Sequence, residues 1–81
     1  METRIAVIAV IVEDLAAADE LNRILHDYGS YVIGRMGIPY RAKNVSLISV
    51  AVDAPMEIIS ALTGKLGALN GVSVKTAYSK A

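Results

Sequence analysis

The sequence predicts an α+β fold in which a four-stranded antiparallel sheet carries two helices on one face. Three observations support this prediction. Aliphatic runs with the composition of strands occur at residues 5–12, 45–53 and 72–78. Apolar residues at helical spacing follow Asp14 and again follow Pro55. Between the two helices, residues 31–53 contain two apolar runs joined by a polar, basic segment, which is typical of a β-hairpin with a connection longer than a tight turn. The predicted element order is βαββαβ.

Length and composition limit the classes of function. The chain has 81 residues, and we expect residues 1–81 to form one domain. It contains no cysteine, which excludes a disulfide framework, a thiolate metal site and a cysteine nucleophile. Eight basic and eight acidic residues cancel, so the net charge gives no support for direct DNA binding.

The first apolar run follows Arg4 and resembles the core of a signal peptide. It covers eight residues, 5–12, and ends at two acidic residues. That length is too short to span a bilayer, and a buried strand explains the run better. We therefore expect a cytoplasmic protein that does not contact a membrane.

The remaining elements follow in order along the chain. Asp14 is a candidate cap for a first helix whose apolar face includes Leu21, Ile24 and Leu25, and Gly29 is expected to end that helix in a left-handed conformation. The hairpin strands are predicted at 31–38 and 45–53, with residues 39–44 as their connection. The second helix begins near Pro55, has an apolar face of Ile58, Ile59, Leu62 and Leu66, and is followed by a last strand at 72–78.

This element order is that of the ferredoxin-like, or split βαβ, fold. Right-handed crossovers place the first and third strands in the centre of the sheet. Both alternating sets of side chains on these strands are largely apolar, yet two helices can cover only one face of the sheet. The pattern therefore predicts a homo-oligomer, a dimer or tetramer assembled through the sheet. The alternative is a monomer that leaves an apolar face open.

A basic cluster near the hairpin connection is the main candidate for a binding site. Arg35, Arg41 and Lys43 occur within nine residues that contain no acid, beside Tyr40 and a Gly-Ile-Pro segment. Such a cluster is suited to a carboxylate or phosphate, although solvated charges on an edge strand that prevent aggregation explain the same residues without a ligand. The candidate ligand-binding residues are Arg35, Gly37, Pro39, Tyr40, Arg41 and the single histidine, His26. No catalytic residue and no metal site are predicted.

Four segments of the chain together resemble the family of small iron-only hydrogenase system regulators. They are Leu25–Tyr28, Arg35–Arg41, Leu62–Gly67 and Gly71–Thr76. That family is similar in fold to ACT domains and to the C-terminal domain of nickel-responsive repressors, which are oligomeric. The resemblance implies a non-enzymatic regulatory domain that senses a ligand or binds a protein partner, with regulation of transcription among its roles. The resemblance implies no particular cofactor.

The resemblance also bears on which ligands are expected. When His26 is set on the first nickel-binding histidine of the repressors, the other three ligand positions are occupied by Gly37, Pro39 and Val45, so no nickel site is expected. In ACT domains, ligands bind near the first strand–helix turn, here residues 12–15, where Glu13 and Asp14 replace the usual glycine. The alternative function is a small enzyme of the ferredoxin-like dimeric α+β barrel type with an unknown substrate. It would need polar groups in a pocket between sheet and helices.

Overall fold

The computed structural model describes residues 2–80 and contains a four-stranded antiparallel sheet with two helices. The strands are β1 (Arg4–Val12), β2 (Val32–Tyr40), β3 (Val45–Ala54) and β4 (Val72–Tyr78), and the helices are α1 (Ala18–Asp27) and α2 (Met56–Gly67). The sheet order is β2-β3-β1-β4. The predicted ferredoxin-like, ACT-like fold is confirmed, with β1 and β3 in the centre.

Strand β1 shows most clearly how the sequence divides the sheet into two faces. Its residues alternate strictly between exposed and buried, so that Ala6, Ile8, Val10 and Val12 lie under the helices. They pack with Val50 and Val52 of β3 and with the apolar faces of the helices: Leu21, Ile24 and Leu25 of α1, and Ile59, Leu62 and Leu66 of α2. Within residues 2–80, this core contains no buried polar side chain.

The opposite face of the sheet carries apolar side chains and has no helix over it. Ile5, Val7 and Ile11 of β1 are between 43% and 51% exposed. The register places Leu47 of β3 opposite Ile11, and Ile38 of β2 opposite Leu47, in one row across three strands. The two apolar faces predicted for the central strands are therefore present.

The ends of the elements depart from the predictions in two places. Gly29 does not adopt a left-handed conformation; it begins a 3₁₀ turn, Gly29–Tyr31, that leads into β2. Strand β2 continues through Pro39 and Tyr40, which were predicted to lie in the hairpin connection, so the connection is only residues 41–44. Proline is compatible with an edge strand, where its missing N–H can face solvent.

Two residues with positive φ close turns that hold the sheet together. Asn44 has φ 59° at the end of the hairpin connection, a conformation that asparagine tolerates better than most residues. Gly71 has φ 73° just before β4, and its carbonyl oxygen accepts a 2.7 Å hydrogen bond from the backbone N–H of Glu13.

None of the helices in the described part of the chain is long and apolar enough to cross a membrane.

Candidate functional site

A groove runs between α1 and β2 on the helix side of the sheet. It consists of three adjoining cavities, which we call the α1–β2 groove. The central cavity shares Asn22 and Arg35 with one neighbour, and Leu15, Pro39 and Ser46 with the other. All six predicted ligand-binding residues line this groove: His26, Arg35, Gly37, Pro39, Tyr40 and Arg41. The topology thus brings together residues that are up to 15 positions apart in the chain.

The central cavity has a volume of about 260 Å³ and is mainly apolar. Its apolar lining comes from β1, the turn before α1, α1, β2 and β3: Val12, Leu15, Ala18, Leu21, Pro39 and Ile48. Ile38 also borders the cavity, although its register places its side chain on the opposite face of the sheet. Three polar side chains, those of Asn22, Arg35 and Ser46, complete the wall. A cleft with apolar walls and a few polar groups is the usual form of a small-molecule site.

Arg35 is placed in the groove by the register of β2. It pairs with Val50, a buried residue of β3, so its side chain leaves the sheet on the helix side. Its Nη2 donates a 3.0 Å hydrogen bond to Oδ1 of Asn22 on α1. A guanidinium has five N–H donors, so this contact orients Arg35 and leaves further donors for a ligand.

The charge of Arg35 has no acidic partner in the part of the chain that the structure describes, where Arg35 makes no ion pair. Arg23, on the outer side of α1, differs because it bonds Glu20 and lies 3.9 Å from Asp27. The hydrogen bond and the charge of Glu20 raise the pKa of Arg23 above its ordinary value. Arg35 is therefore a cation that is available to an anion, whereas Arg23 already has its acidic partners.

The two outer cavities extend the groove in opposite directions. The cavity beside the end of α1 has a volume of about 460 Å³ and is lined by His26, Gly29 and Val32. The cavity at the hairpin end has a volume of about 140 Å³ and is lined by Tyr40 and Arg41. In residues 2–80, no carboxylate lines any of the three cavities. The groove therefore has basic groups without acidic ones, an arrangement that favours anions.

Two polar side chains that line the central cavity were not predicted from the sequence: Asn22 of α1 and Ser46 of β3. For Asn22, the only signal in the sequence was its position next to Leu21, a buried residue of the amphipathic helix α1. Lys43 was part of the predicted basic cluster, but it does not line the groove.

The groove contains groups that can bind and orient an anion. Within residues 2–80, no three His, Asp or Glu side chains come together to hold a metal ion. His26 lines one cavity and the Ser46 hydroxyl lines the others, so the groove does not place this potential base and nucleophile in one cavity. The polar groups that the enzyme alternative requires are thus limited to Asn22, Arg35 and Ser46 in the central cavity.

Comparisons with known proteins give a family and a fold. The family model described as "Iron-only hydrogenase system regulator, putative" (TM1266-like) matches residues 4–76. The solved structure of the uncharacterized protein TM1266 from Thermotoga maritima is 32% identical in sequence and has a TM-score of 0.93, covering 98% of this chain and 100% of that chain. A search of curated proteins gave no match.

Two other solved structures are similar in fold alone. An unknown protein from Galdieria sulphuraria has a TM-score of 0.66 at 19% identity, covering 99% of this chain and 47% of that chain. A formyltetrahydrofolate deformylase from Pseudomonas putida KT2440 has a TM-score of 0.64 at 14% identity, covering 90% of this chain and 28% of that chain. The family match covers most of the chain, and the resemblance found in the sequence is confirmed: the chain belongs to the TM1266-like family of iron-only hydrogenase system regulators.

Proposed function

We propose that this chain is a non-enzymatic regulatory module that works as a homo-oligomer assembled through its sheet and senses a small anion in the α1–β2 groove. The family to which it belongs supports the regulatory role. The observation that carries the proposal is the apolar face of the sheet opposite the helices. On that face Ile5, Val7, Ile11, Leu47, Met36 and Ile38 are each 40% exposed or more.

The distribution of charge on this face is that of an interface. Its centre, where Ala9 pairs with Ser49 and Val7 with Ala51, contains no charged side chain. The charged residues lie toward the margins: Lys75 on the edge strand β4 and Asp53 one residue from the end of β3. An apolar centre with a charged rim is typical of contacts between subunits.

The face is also large enough for a stable contact. Nine-residue strands at about 3.3 Å per residue and four strands at about 4.8 Å spacing give a surface of roughly 570 Å². Two such surfaces bury about 1,100 Å² in total, just above the limit of about 1,000 Å² for a specific interface. A second copy of this chain fits because its face has the same shape and the same apolar centre, as a two-fold contact requires.

Strand β2 supports a link between assembly and ligand. Arg35 and Gly37 line the groove, whereas Met36, between them, pairs with Ser49 on the open face. Successive residues of one strand thus contact the ligand site and the proposed interface. A ligand that shifts β2 would therefore change both surfaces, which would couple ligand binding to assembly.

The experiment that tests assembly introduces a charge at the centre of the face. Val7→Glu places a carboxylate where the partner's apolar surface would bury it, and its desolvation should break the contact. Val7 is 44% exposed in one subunit, so the variant monomer should fold. We expect light scattering coupled to size exclusion to give a multiple of 8.6 kDa for the wild type and 8.6 kDa for Val7→Glu.

The matched control is Ser60→Glu, which adds the same charge on the exposed surface of α2. We expect it to keep the mass of the wild type. The sheet-mediated assembly is wrong if the wild type is a monomer at micromolar concentration, or if both variants keep the oligomer. Circular dichroism of Val7→Glu distinguishes dissociation from unfolding.

A further inference from the structure

Within residues 2–80, the central cavity of the α1–β2 groove combines one cation without an ion pair, Arg35, with a mainly apolar wall. We propose that its ligand is a small monocarboxylate with a short apolar chain, whose carboxylate binds Arg35 and whose chain contacts Leu21, Ile48 and Pro39. This inference rests on the proposed function, because it names the class of anion that the groove senses.

The charge of the cavity favours a single negative charge. Arg35 is the one cationic side chain among the described residues that line the central cavity. Arg41 lines the hairpin-end cavity and not the central one. A phosphate or a dicarboxylate would bring a second charge into the central cavity, where no second cationic side chain among the described residues is present to pair with it.

The geometry of Arg35 suits a planar carboxylate. Its contact with Asn22 fixes the guanidinium by one Nη2 hydrogen bond. The remaining donors can form the paired N–H to oxygen bonds that arginine makes with carboxylates. The Ser46 hydroxyl in the same wall provides a further donor.

The size of the cavity limits the length of the ligand's apolar chain. A volume of about 260 Å³ corresponds to about nine groups of the size of water. A carboxylate with four or five further carbons fills this space. Gly37 lies in the wall with no atom within 4 Å of the position a Cβ would take, so a ligand can lie close to the strand there.

The test titrates the full chain with hexanoate as the probe ligand. Binding is monitored through the backbone amide chemical shifts of the protein. We expect saturable shifts at Asn22, Gly37 and Ser46. The neutral analogue hexanamide, inorganic phosphate and succinate, at matched ionic strength, should each bind at least about tenfold more weakly, because each loses either the charge-assisted pair or the apolar fit.

Two variants with matched controls locate the site. Arg35→Gln should weaken hexanoate binding at least about tenfold, whereas Arg23→Gln removes the same charge outside the groove and should leave it unchanged. Gly37→Val fills the cavity and should abolish binding. Gly64→Val makes the same change on the exposed surface of α2, also into open space and away from both the groove and the open face of the sheet, and should leave binding unchanged.

The outcomes separate this inference from the proposed function. If phosphate or succinate binds in the groove as tightly as hexanoate, the monocarboxylate class is wrong and anion sensing stands. If none of the four compounds shifts groove amides, both this inference and anion sensing fail, while assembly is decided separately by the Val7→Glu experiment. Hexanoate shifts confined to the open sheet face would also overturn the inference.

Discussion

Gly71 is the residue where backbone conformation constrains the chain most strongly. A Cβ at this position would lie 2.4 Å from Cβ of Asp14 and 2.9 Å from its backbone nitrogen. The same turn holds the hydrogen bond from Glu13, which joins the end of β1 to the start of β4. A side chain here would therefore disturb both the turn and the start of the edge strand.

We expect Gly71→Ala to lower the free energy of unfolding by about 2 kcal/mol or more, because it combines an unfavourable positive φ with a steric clash. The control is Gly67→Ala at the end of α2, where no atom lies within 4 Å. It should be neutral or stabilising by up to about 1 kcal/mol. Urea denaturation measures both variants, and equal stabilities would show that the Gly71 turn is not constrained.

The contrast between Gly29 and Gly71 shows what sequence could not decide. Both glycines follow a predicted helix and precede a strand. Gly29 was expected to have a positive φ and does not, whereas Gly71 does. At Gly71 the positive φ coincides with the close approach of Asp14, a contact between segments 57 residues apart that no local pattern reports.

At the scale of elements, β1 carries two surfaces with different roles. Ile8 is fully buried in the core, and Ile11 on the same strand is 43% exposed on the open face. The buried side chain contributes to folding of each subunit. The exposed one contributes, in our proposal, to assembly.

We expect Ile8→Ala to cost about 2 to 5 kcal/mol in the free energy of unfolding, because it leaves a cavity in the core. Ile11→Ala should cost less than about 1 kcal/mol, since much of its surface is already in water. Both are measured by urea denaturation in the Val7→Glu background, so that dissociation does not contribute. Equal losses at the two positions would contradict the assignment of the two faces.

The elements that were predicted well are those whose pattern is local. The βαββαβ order of the elements, with right-handed crossovers, predicted the sheet order, and the apolar faces of the helices predicted their part of the core. The end of β2 was predicted wrongly, because an edge strand accepts Pro39 and Tyr40. The six candidate residues do line one groove, but Asn22 and Ser46 were missed because their place depends on how α1 lies over β2 and β3.

At the scale of the whole molecule, the open apolar face explains the composition. The chain is 54% hydrophobic, although a domain of 81 residues buries only about 60 to 65% of its surface on folding. A second copy would cover the residues that the helices leave exposed. Members of the same fold class can differ in chemistry, so the proposed ligand rests on the residues that line the groove and not on the fold.

Native mass spectrometry of the purified wild-type chain, with no ligand added, directly tests whether the chain assembles through its sheet. We expect a dimer or tetramer of the 8.6 kDa subunit at micromolar concentration, since an exposed apolar face of this kind is typical of an interface. A retained mass in addition to the subunits would supply the groove ligand for identification. A bare 8.6 kDa monomer would contradict assembly through the sheet, because the apolar face would then have no second copy to cover it.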